Sequence, residues 1–185
     1  MSEARDRCAN TKIALLQGTA ADMAAFAQQM GWNRKGSVTG EDVVWDAVGL
    51  AATLTVRPVD QRFIALVSEG ADAALLLDDL GQVLDLHDDV DVMNEISSVA
   101  QPSELTPWIS RLAAFAEGQF QASTLSVILG LLGSERFEFA EAMARGLKHA
   151  RWPQLTLPLR ELANRYLQLR PLIDAAIASI EQRKS

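Results

Sequence analysis

From Asp85 to Glu95 the chain reads DLHDDVDVMNE. Asp85, His87, Asp88, Asp89, Asp91 and Glu95 are carboxylates and an imidazole, the side chains that bind divalent cations. Their spacing argues against a metal. A calcium loop needs a glycine at the sixth position and a glutamate at the twelfth. Counting from Asp85, those positions hold Val90 and Ile96. Starting from Asp89 the spacing fails as well. His87 has no second histidine three or four residues away. No metal and no cofactor is therefore expected. Two readings remain for the cluster. In one, the acids mark a helix start, where the helix dipole favours negative charge. In the other, they form an acidic face offered to a partner.

Other chemistry has few carriers. The second histidine, His149, sits in KHARWP, where a cation suits a helix C-terminus beside Lys148 and Arg151. It has no nucleophile or acid partner that the sequence nominates. GLLGSER lacks the Lys-Ser/Thr of a phosphate loop, and neither G-x-G-x-x-G nor G-x-S-x-G occurs. Glu135, Glu138 and Glu141 share one helix side and read as a solvated face. No catalytic residue is nominated, and the chain is not expected to be an enzyme.

Charge is the informative feature. The 185 residues carry a net charge of −7, which disfavours nucleic acid and anionic membrane as partners. The charge is segregated. Residues 63–110 contain ten acids and no lysine or arginine, whereas residues 111–185 are mildly basic. Such a stretch steers basic partners toward it. Its ordinary role would be solubility; its functional role would be docking of a basic protein. Asp78, Asp79, Asp85, Asp88, Asp89, Asp91 and Glu95 are the candidate docking residues. Trp32 joins them, because it follows a helix-ending glycine, precedes Asn33-Arg34-Lys35, and exposed tryptophans anchor interfaces. Trp45, Trp108 and Trp152 are expected in the core.

The single cysteine, Cys8, cannot form an internal disulfide, which fits a reducing compartment. No run of about 18 apolar residues occurs. A cytoplasmic location is expected.

These residues need a scaffold, and the pattern predicts an α+β one. Thr19 and Asp22 resemble a capping box opening a helix to Met30, with Met23, Phe26, Ala27 and Met30 on one face. DVVWDAV, ATLTVRPV and QRFIALVSE read as a three-stranded antiparallel meander. FIALV is apolar on both faces and belongs inside the sheet. Gly70 closes that strand. A helix follows over 71–84, with Ala73, Ala74, Leu77, Leu80 and Leu84 as its buried stripe, and a short one over 90–99. From Pro102 on, the spacing predicts helices of 12–16 residues with short connections, hence antiparallel neighbours. Ser103 and Ser134 serve as caps, Pro107 falls in a first turn, and Pro153 and Pro171 open helices. The expected division is an α/β segment, 1–100, and a helical domain, 101–185, sharing one core.

In SERFEFAEAMARGLKHARWPQLTLPLRELA, Phe139, Met143, Leu147 and Ala150 line one helix, and Leu155, Leu159 and Leu162 line the next. Neither helix can bury its stripe alone, so hairpins must stack. ARWPQLTLPLRELA and, upstream, RFIALVSEGADAALLLDDL resemble bacterial HEAT-repeat-containing proteins over residues 60–165. Where such repeats carry a Val-Arg pair, this chain has Phe139 and Ala140, so no arginine ladder forms and irregular hairpins are expected. The resemblance implies protein–protein interaction, and proteins of this kind include toxin-neutralising immunity proteins. The leading expectation is thus a non-enzymatic module that binds a basic protein, such as a nucleic-acid-cleaving toxin. A second is a small-molecule site or enzyme in a cleft between sheet and helices. A third is a homo-oligomer, paired through Leu172, Ile173, Ala176, Ile177 and Ile180 of the last helix.

Overall fold

A computed structural model describes residues 11–36, 42–99 and 101–182. Cys8, and Arg183 as the expected end of the last helix, lie outside the described residues. The chain forms two compact units, Met1–Asp88 and Asp89–Ser185. The fold is α+β, with an antiparallel sheet in the first unit and helices throughout the second.

The sheet has six strands in the order β2-β3-β4-β5-β1-β6. The expected meander is its middle: β3 (Val43–Asp46), β4 (Ala52–Pro58) and β5 (Phe63–Gly70). Three further strands widen it. β1 (Thr11–Gln17) pairs with Phe63–Glu69 of β5. β6 (Leu86–His87) adds two residues outside β1, and β2 (Asn33–Gly36) lies outside β3. β1 escapes a period-two reading because Ala14, Leu15 and Leu16 are all buried in succession. β5 is interior and buried on both faces, as its composition implies.

Helix α1 (Ala20–Gln29) starts at the Thr19–Asp22 capping box, with both reciprocal hydrogen bonds present. Helix α2 (Ala73–Gly81) follows β5. Met23 and Ala27 of α1 and Leu76 and Leu80 of α2 join Leu16, Trp45, Leu54, Val56, Ile64 and Leu66 in one apolar core. The stripe of α2 differs from expectation: Ala73, Leu76 and Leu80 are buried, Leu77 is half-buried and Ala74 is exposed. The run AALLL is apolar at every position, so periodicity alone could not choose the inner face.

The second unit contains α3 (Asp89–Ser98), α4 (Pro102–Ala114), α5 (Ala122–Leu132), α6 (Phe137–Gly146), α7 (Thr156–Arg165) and α8 (Arg170–Gln182). Short 3₁₀ turns at Phe115–Glu117, Leu147–His149, Pro153–Leu155 and Leu167–Leu169 punctuate them. Three start signals shift. Ser103 is not the cap of α4 but its second residue, because the N-cap is Gln101. Pro107 lies inside α4 rather than in its first turn, because the helix already begins at Pro102. Ser134 is not the cap of α6; its hydroxyl accepts from the Arg136 amide, and the helix opens after Arg136.

Six polar contacts in this unit recur at separations of 31 to 35 residues along the chain. The Ser110 hydroxyl donates to Ala142 O, 32 residues on. Arg151 pairs with Glu117 and the Trp152 indole donates to Gly118 O, each 34 residues apart. Arg165 donates to Leu132 O across 33 residues, and the Tyr166 hydroxyl to Glu135 O across 31. The Asp89 carboxylate accepts from the Thr124 hydroxyl, 35 residues away. A recurring offset means that successive helix pairs are laid one on the next. Accordingly α6 packs on α4 and on α8, and α7 on α5. The stripes Phe139–Met143–Leu147–Ala150 and Leu155–Leu159–Leu162 are buried. They face different partners from those expected: α6 lies chiefly on α4, and α7 on α8.

Candidate functional site

The acidic candidates divide between the units. On α2, Asp78 and Asp79 sit three and four residues beyond Leu75 and are both exposed, Asp78 on the side opposite Leu76 and Leu80 and Asp79 at its edge. Asp85, also exposed, lies between α2 and β6. None of these three carboxylates forms a hydrogen bond or ion pair with a described residue. Asp88 is exposed but interacts with other groups of the chain.

In the second unit, Asp89 and Asp91 occupy the first turn of α3, where the dipole favours them. Asp89 is half-buried and holds the fully buried Thr124, so it serves the unit's own packing. Asp91 is exposed and has an interaction of its own. Glu95, on the exposed side of α3, is unpaired among the described residues.

Two other acids of the 63–110 stretch are structural, whereas Glu104 is exposed in the first turn of α4. Asp72 accepts from the Ala51 amide at 2.7 Å, and Glu69 meets the Thr11 hydroxyl at 3.5 Å. The groups left to act on a partner are therefore Asp78, Asp79, Asp85, Glu95 and Glu104, a subset that composition could not single out. Nothing basic lies near them in sequence, so their charge is not neutralised locally.

His87 does not join these carboxylates. It pairs with Leu15 across β1–β6, and its ring stands edge-on to Phe63 at 5.4 Å. Its Nε2 is enclosed, with no hydrogen-bond partner among the described residues. Nor do the described residues contain a group of three or more histidine, cysteine or acidic side chains arranged to hold a metal ion.

Trp32 is half-buried. Its ring meets Phe26 edge-on at 6.2 Å and packs on the core of the first unit. Trp45 and Trp152 are buried, while Trp108 is half-buried under the Arg111 guanidinium, 4.3 Å from its ring. Trp32 is thus no more prominent an anchor than Trp108.

Two alternative sites meet structural obstacles. The space between the sheet and helices α1 and α2 is filled by the apolar core. On α8, Ile173, Ala176, Ile177 and Ile180 are buried, and only Leu172 of the expected pairing stripe is exposed. That stripe is core, because α8 packs on both α6 and α7. No described helix is long and apolar enough to cross a membrane. No family model, no curated protein and no solved structure matches this chain.

Proposed function

We propose that the chain is a non-enzymatic binding module for a basic protein, with an immunity-type role against a nucleic-acid-cleaving toxin as its sharpest form. One observation carries the reading. Asp78, Asp79, Asp85 and Glu95 are exposed, lack partners among the described residues, and lie in a stretch without a single lysine or arginine. Exposed carboxylates without an intramolecular counter-ion attract a basic partner. A toxin that cleaves nucleic acid has a basic active site, which such carboxylates complement. The stacking of helices in the second unit supports the same reading, since stacked helices present extended surfaces.

The test is capture of partners by the tagged full chain from its native lysate, at low and high salt, with mass spectrometry of the retained proteins. The expected result is a basic protein held at low salt and released at high salt. Changing Asp78, Asp79, Asp85 and Glu95 to lysine should abolish its retention. An unchanged affinity in that variant would sink the proposal.

A further inference from the structure

Charge alone does not describe the outer face of α2. Leu75 is 49% exposed and Val83, in the turn that follows the helix, is 65% exposed. Leu75 and Asp79 are one turn apart on α2, and Val83 lies in the turn just past the end of the helix, with Asp78 and Gln82 between them in sequence. The opposite side of the helix already carries its core residues, Ala73, Leu76 and Leu80. Neither Leu75 nor Val83 is needed for that core, and isolated solubility would favour polar residues at both.

We propose that this face of α2 is a docking site for an amphipathic basic segment of a partner protein. The segment's apolar side chains cover Leu75 and Val83, and its lysines or arginines meet Asp78 and Asp79. This rests on the reading above that the carboxylates face a basic protein, and it adds the form of the partner. Interfaces concentrate their energy in apolar anchors ringed by polar groups, and exposed Leu75 and Val83 with exposed Asp78 and Asp79 beside them supply both kinds of group. Charge complementarity selects the occupant. A second copy of this acidic chain would bring carboxylates against carboxylates, whereas a basic segment relieves them.

The experiment compares two synthetic peptides of equal charge binding to the full chain, by fluorescence anisotropy at low salt. One alternates leucine and lysine at helical spacing; the other has serine in place of leucine. The leucine peptide is expected to bind about tenfold tighter. The double variant Leu75→Ser, Val83→Ser should erase that difference, and Asp78→Asn, Asp79→Asn should weaken both peptides alike. Both pairs are at exposed positions, and far-UV circular dichroism checks that each variant keeps the native fold. Equal, salt-sensitive binding of the two peptides would overturn the inference while leaving the acidic-surface reading intact. An undiminished leucine preference in the double variant would overturn it too. Failure of both peptides to bind at any salt would remove both readings together.

Discussion

At the scale of single residues, two positions in the first unit carry measurable consequences. Gly70 ends β5 with φ at 134°, in the region that favours glycine. A Cβ there would overlap the Ala51 carbonyl oxygen and lie 2.9 Å from Ala52 Cα, both backbone atoms that cannot turn aside. Gly49 also has positive φ, at 86°, but a Cβ there would meet nothing within 4 Å. Gly49→Ala should therefore cost only the backbone strain, about 1–2 kcal/mol. Gly70→Ala adds a steric clash and should cost about 3 kcal/mol or more. Urea unfolding of the two variants separates the terms, and equal midpoints would refute the steric account. Asp22 supplies a pH effect. Hydrogen bonds from the Thr19 hydroxyl and backbone N–H hold its carboxyl below the ordinary aspartate range. A lowered folded-state pKa stabilises the fold above the unfolded pKa, and that contribution disappears as pH falls through the folded value. An NMR titration should place the Asp22 midpoint below that of free aspartate; a midpoint at or above it contradicts the capping role. The capping box was legible in the sequence because it is local. The clash at Gly70 was not, because Ala51 reaches it only through strand pairing.

At the scale of elements, successive layers of the second unit are joined by polar contacts at recurring separations. Glu117 and Arg151 form an ion pair whose side chains are 7% and 8% exposed. Next to it the Trp152 indole donates to Gly118 O, and Phe120 stands edge-on to the Trp152 ring at 5.3 Å. Breaking a buried pair from one side leaves a charge in the interior, so Glu117→Gln should destabilise by about 3–5 kcal/mol. Replacing both partners with apolar residues, Glu117→Leu with Arg151→Met, should recover much of that loss. Equal destabilisation by the single and double variants, read from urea midpoints, would count against the pair as the joint. Helices and their breaks could be read from Gly118, Gly133, Pro153 and Pro171. The stacking offset could not. At the 34-residue separation of Glu117 and Arg151, Ile109 corresponds to Met143 and Ala113 to Leu147. All four are buried, yet they differ in size, so the repetition lies in burial rather than in residue identity. For the same reason the expected pairing of α6 with α7 gave way to α6 on α4: apolar stripes specify that a face is covered, not by which neighbour.

At the scale of the whole molecule, the total charge of −7 was read directly, but the usable part of it was not. Asp72 and Asp89 are consumed by the fold, while Asp78, Asp79, Asp85 and Glu95 remain available. This distinction yields a test of location against total. Reversing those four to lysine raises the net charge by the same amount as reversing Glu135, Glu138, Glu161 and Asp174, which are also exposed. If binding responds only to net charge, both variants lose affinity for a basic partner equally. If it responds to the local field, association at low salt should slow about tenfold or more in the first variant and far less in the second. The gap between the two should close as ionic strength approaches 1 M, where the Debye length shrinks to about 3 Å. Stopped-flow association rates across a salt series decide the matter. Equal slopes for the two variants would assign the effect to net charge and deprive these carboxylates of a specific role, whereas a steep slope lost only in the first variant would assign the encounter to the reversed carboxylates.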